Sequence, residues 1–139
     1  MKKFLSRGIA TFLLLVFMCS LSVPASASVY ASKYLSRYNA YLYAQGSGTI
    51  KVSFTIIAVD RLDELGVSEI VVERNINGSW TPMKTYTNDE YPEMSTTNDY
   101  LHKDYVLYNG LPGCEYRAEV TVFGNTDYRT FTTLPETAT

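Results

Sequence analysis

Ile50-Lys-Val-Ser-Phe-Thr-Ile-Ile-Ala58 is the stretch on which the fold turns. Ile50, Val52, Phe54, Ile56 and Ala58 alternate with Lys51, Ser53 and Thr55, which gives a β-strand one apolar and one wet face. Upstream, Tyr38-Asn-Ala-Tyr-Leu-Tyr-Ala44 repeats the pattern, with Tyr38, Ala40, Leu42 and Ala44 on one side and Tyr41 and Tyr43 on the other. Gln45-Gly-Ser-Gly48 turns the chain between the two. Downstream, Val59 to Gly66 breaks the alternation. Leu62 and Leu65 stand three apart, and a single helical turn ending at Gly66 is the expectation.

The remaining chain reads as further short strands. Glu69–Arg74 leads to Asn77-Gly78, a two-residue hairpin turn with both residues at positive φ. The return strand, Ser79–Tyr86, contains Pro82, which lacks a ladder donor and so belongs at a sheet edge. Residues 87–99 form the longest irregular stretch, before strands over Lys103–Tyr108, Glu115–Phe123 and Tyr128–Thr133. No segment sustains a helical period. The expectation is an all-β, antiparallel, seven-stranded two-sheet sandwich over residues 37–133, with a lead-in at 28–36 and a tail at 134–139.

Ahead of this domain, Lys2, Lys3 and Arg7 precede an apolar run, Ile9 to Met18. Pro24 then breaks the run, and Ala25-Ser-Ala27 supplies the small residues a signal peptidase requires. Residues 1–27 read as a signal peptide cleaved between Ala27 and Ser28, with a weaker site after Ala31. The apolar run is shorter than the ~20 residues that span a bilayer, so no stable membrane insertion is expected after cleavage. Met18 before Cys19 does not fit a lipoprotein signal.

Cleavage leaves 112 residues, one domain, with nine basic against fourteen acidic side chains. That acidic balance argues against nucleic acid and against anionic membranes as partners. Cys114 remains as a lone cysteine, which rules out an intramolecular disulfide in the processed chain. Burial or an intermolecular bond remain open to it, with burial favoured.

Leu111-Pro-Gly-Cys-Glu-Tyr116-Arg-Ala118-Glu-Val120 resembles the run that marks fibronectin type III domains, and Thr132-Thr-Leu-Pro-Glu136 is similar to the exit of that family's last strand. The resemblance implies that Tyr116 forms a tyrosine corner, its ring in the core and its hydroxyl bonded to the backbone of the preceding turn. One departure is that Phe54 stands where the family carries a core Trp, while Trp80 lies on the edge strand. The Tyr-rich first strand, Asp63-Glu-Leu-Gly66, Gly78-Ser-Trp80, Lys84-Thr-Tyr86, Tyr91-Pro92 and Glu115-Tyr-Arg-Ala118 also resemble small exported proteins of clostridial-type Gram-positive bacteria. That likeness implies a fold and an export route and no activity.

Candidate chemistry is sparse. His102 is the single histidine, and nothing in the spacing joins it to Cys114 as a base to a nucleophile. The carboxylate pairs Asp63/Glu64, Asp89/Glu90 and Asp99/Asp104 read as solvated surface rather than glycosidase machinery, which needs a cleft. Asp89, Glu90 and Glu93 lie in an acidic loop that lacks the spacing of a calcium-binding helix–loop–helix. No cofactor or metal is expected. Leu134-Pro-Glu-Thr-Ala138-Thr139 resembles a sortase signal, without its Gly or the apolar segment that follows.

The aromatics carry the functional expectation. Tyr41, Tyr43, Trp80 and Tyr86 are placed off the core, where flat rings stack on sugars or anchor protein partners. The same rings can instead stabilise the sheet as cross-strand pairs. The resulting expectation is a secreted, non-enzymatic module that binds a protein or a cell-surface glycan. The alternative is a self-associating structural or assembly protein of the cell envelope.

Overall fold

The computed structural model describes residues 32–139, and the signal peptide with its cleavage between Ala27 and Ser28 lies outside them. The fold is all-β, one curled antiparallel sheet of seven strands: β1 (Leu35–Gly46), β2 (Thr49–Ile76), β3 (Ser79–Thr87), β4 (Ser95–Asn109), β5 (Glu115–Gly124), β6 (Asp127–Thr132) and β7 (Glu136–Thr137).

β2 organises everything else. Its first half pairs with β1 on one flank, Leu42 opposite Val52, and with β4 on the other, Val52 opposite Val106. Its second half pairs with β3, Ile70 opposite Tyr86, and with β5, Val72 opposite Ala118. β6 and β7 then add to β5. The strands thus fall into two runs through one shared strand, β1–β2–β4 and β3–β2–β5–β6. Inward residues of both runs join a single buried cluster, from Ile50, Val52, Phe54 and Ile56 to Ile70, Val72, Val120 and Val122.

The chain between Ala58 and Gly66 corrects the expected helical turn. β2 runs through this segment as strand, with register breaks between Ile57 and Leu62 and between Val67 and Glu69. The bulges insert extra residues into the pleat, so buried positions fall at Ala58, Leu62, Leu65, Val67 and Ile70 instead of every second residue. The expected second and third strands are therefore one element.

Three other boundaries move. β1 begins at Leu35, a core residue, rather than after residue 36. β4 begins at Ser95, which shortens the irregular stretch to residues 88–94 with a 3-10 turn at Pro92–Met94. The segment read as a tail carries β7. The Gly113 N–H donates to the Ala138 carbonyl and the Ala138 N–H to the Cys114 carbonyl, with Ala138 fully buried. The sortase-like sequence is thus folded against β5.

Asn77 and Gly78 take φ of 54° and 84°, the hairpin turn expected of them. Pro82 lies on β3, whose described ladder is with β2 alone, at the register shift opposite Glu73.

Candidate functional site

Register places the candidate rings. Opposite one another on the outer face of β1–β2–β4 run the rows Tyr43–Lys51–Leu107, Tyr41–Ser53–Tyr105 and Asn39–Thr55–Lys103. Their inward neighbours Leu42, Val52 and Val106 are buried, so the pleat turns these rows to solvent. Tyr41, Tyr43 and Tyr105 are 53%, 49% and 48% exposed, and Leu107 is exposed beside them. Tyr41 and Tyr43 tilt together with centroids 6.5 Å apart, and Lys51 Nζ sits 4.3 Å from the Tyr105 centroid. The ammonium over a ring face restrains Tyr105.

Tyr105 was absent from the sequence candidates, although its signal was there. Val106 must face inward to meet the core, and alternation then sends Tyr105 and Leu107 outward.

Trp80 lies opposite Asn75 on the outer side of β3 and is half-buried. The Arg117 guanidinium carbon lies 4.5 Å from its ring centroid, and Arg117 Nε donates to Glu73 Oε2 at 2.6 Å. One face of the indole is therefore occupied by a clamped cation. Tyr86 corrects its expected place on the surface. It is only 6% exposed, joins the core cluster, and donates its hydroxyl to the Leu107 carbonyl at 2.8 Å. Burial, with Tyr91 and Tyr108 adding to it, pushes its phenol up to about 12. A one-residue strand parity decides this: Tyr86 faces Ile70, an inward residue, and so points into the core.

Beside Tyr86 a cleft of about 310 Å³ opens, lined by Lys84, Tyr86, Tyr91, Glu93 and the 105–107 segment of β4. The 88–94 loop that forms one wall is well tied. Met94 is fully buried, the Tyr91 N–H donates to the Thr87 carbonyl, and His102 Nε2 donates to the Glu93 carbonyl at 2.9 Å. This is the role of the single histidine. Tyr86 and Tyr91 meet at 5.1 Å between centroids, with Lys84 Nζ 5.5 Å from the Tyr86 ring.

Tyr116 is fully buried, and its hydroxyl accepts the Leu111 N–H at 2.9 Å. Cys114 is half-buried and packs against the core. Asp99 is engaged by its own strand, accepting from the Tyr100 N–H at 2.7 Å. Among the described residues no three His, Cys, Asp or Glu side chains converge as a metal site would require, and no helix is long and apolar enough to cross a membrane.

No family model and no curated protein matches this sequence. Among solved structures, a family 76 glycoside hydrolase from a bovine Bacteroides thetaiotaomicron strain superposes with a TM-score of 0.38 at 17% identity. The match covers 72% of this chain and 20% of the other, so the chain spans about a fifth of that protein's length.

Proposed function

We propose that this chain is an exported, non-catalytic recognition module with a fibronectin type III-like sandwich, which binds cell-surface glycan on the outer face of β1–β2–β4. The observation that carries the reading is the gathering of Tyr41, Tyr43 and Tyr105 on one exposed face, interleaved with Lys51, Ser53, Thr55 and Asn39. Aromatic faces take the C–H faces of sugar rings, and hydroxyl, amide and ammonium groups between them meet the sugar hydroxyls. Two runs of strands about one shared core, with the Leu111 N–H on the Tyr116 hydroxyl, support the sandwich.

Purified wall polysaccharides and a glycan array, probed with wild type and a Tyr41→Ala/Tyr43→Ala double variant, test the binding surface. Loss of two stacking rings weakens retention by about thirtyfold, equivalent to ~2 kcal/mol. If no glycan is retained and sedimentation instead shows a concentration-dependent dimer that the double variant abolishes, the face joins copies of the chain. A partner protein captured through the same two tyrosines, with no glycan retained, would likewise replace the glycan reading. Export is checked by intact mass of the protein from culture medium, expected to begin at Ser28.

A further inference from the structure

We infer that the cleft between the β3 and β4 edges is a separate site for a single neutral sugar ring, with Lys84 and Glu93 reading its hydroxyls. The volume of about 310 Å³ falls at the small end of ligand pockets, suited to one ring rather than an extended chain. The lining decides the chemistry. Half-buried Tyr91 presents aromatic carbon, while Tyr86, against it at a tilt of 59°, is buried and has committed its hydroxyl to the Leu107 carbonyl. At the rim stand one cation and one carboxylate, Lys84 and Glu93, and neither belongs to an ion pair among the described residues.

An anionic ligand would meet Glu93, and a cationic ligand would meet Lys84. A wholly apolar ligand would strip water from both charges and return nothing to them. A pyranose satisfies all three demands: an apolar C–H face for the Tyr91 ring, acceptor oxygens for the ammonium, and hydroxyl donors for the carboxylate. The site is also pre-organised. Buried Met94 and the bond from His102 to the Glu93 carbonyl fix the loop, so binding need not order it first.

The cleft meets the tyrosine face along β4, because Tyr105 and Leu107 belong to both. The inference therefore extends the glycan reading and rests on it for the ligand class, while the site is a different one.

Amide NMR titrations of the protein with glucose, galactose, mannose and N-acetylglucosamine provide the test. The ligand efficiency of drug-sized ligands places one hexose in the millimolar range. At least one of the four is expected to give saturable shifts confined to the amides of residues 84–86, 91, 93 and 105–107. Lys84→Ala and Glu93→Ala remove exposed side chains, leave the spectrum dispersed, and each weaken binding by about tenfold.

No saturable shift in that cluster with any of the four sugars overturns the inference, and so does binding indifferent to both variants. Tighter binding there of glucuronate, glucosamine or free tyrosine overturns it too. The two readings fail separately. Glycan retention that depends on Tyr41 and Tyr43, without hexose in the cleft, removes this inference alone. Hexose in the cleft, with retention unaffected by Tyr41→Ala/Tyr43→Ala, removes the outer-face reading alone.

Discussion

Tyr116 and Tyr86 are both buried tyrosines whose hydroxyls meet backbone groups, but they are on opposite sides of the hydrogen bond. Tyr116 accepts from the Leu111 N–H, so Tyr116→Phe orphans a donor in the turn before β5. An unsatisfied buried partner costs about 1–3 kcal/mol, and urea melts should show that loss with an unchanged slope. An unchanged midpoint would remove the tyrosine corner from the fold's supports. Tyr86 donates to the Leu107 carbonyl and is held protonated up to about 12, against 10.0 for a free phenol. In the unfolded chain this proton leaves first, so between pH 10 and 12 the unfolded state binds fewer protons and stability falls as pH rises. The contribution is complete below pH 10 and lost through the folded value, at most about 3 kcal/mol. Tyr86→Phe should be less stable at neutral pH yet lose less between pH 10 and 12 than the wild type. Parallel curves for the two proteins would show that the phenol is solvated in the native state.

Among the elements, β2 shows what a sequence can and cannot display. Its first half was fully legible, because both flanks are paired and one face is buried, so strict alternation survives from Ile50 to Ala58. Beyond Ala58 the buried positions fall at Leu62 and Leu65, a spacing that a helix and a bulged strand produce alike. Only the partner strands distinguish them, and these are distant in sequence. β4 failed to show its start for a related reason. Ser95-Thr-Thr-Asn-Asp99 has no apolar alternation, and it is strand because residues 62–66 of β2 offer it a ladder. The tyrosine face was half legible: Tyr41 and Tyr43 follow from alternation within β1, while their meeting with Tyr105 depends on two registers across β2. The cleft was not legible, since it joins the edges of two strands that do not pair with each other. Gly66, expected to end a helical turn, instead lets β4 pass β2 closely. A Cβ there would come within 2.5 Å of the Met94 carbonyl oxygen and the Ser95 Cα, both backbone atoms. Gly66→Ala should therefore cost about 1–3 kcal/mol, as overpacking does, by prising β4 from β2. Hydrogen exchange should rise at the amides of residues 95–99 ahead of the rest of the sheet. A helical turn ending at Gly66 would instead loosen the amides of residues 62–66 first, because a left-handed cap strains a Cβ.

Across the whole molecule, the two runs of strands cannot be treated as independent folding units. Among the described residues, every buried hydrophobic side chain except Phe123 belongs to one cluster. β2 contributes to that cluster along both halves, so removing either run uncovers the inward face of the other. A domain of this size has about 0.05–0.15 kcal/mol of stability per residue, too little to survive losing half its core. A few strands without a covering layer are marginal in water. The single tryptophan makes this testable. Trp80 reports on β3 through its contact with Arg117 on β5, and so follows only the β3–β2–β5–β6 run. Far-UV circular dichroism follows all the strands. Urea unfolding monitored by the two signals should give coincident midpoints and slopes, as a two-state transition requires. Trp80→Ala should shift the dichroism midpoint only modestly, because a half-buried ring under a cation contributes about 0.5–1 kcal/mol through that contact, plus its partial burial. A fluorescence transition that precedes the dichroism transition would mean that the β3 run opens while β1–β2–β4 persists. In that event the cleft between the β3 and β4 edges would open with it, and sugar binding there would disappear before the sheet itself unfolds.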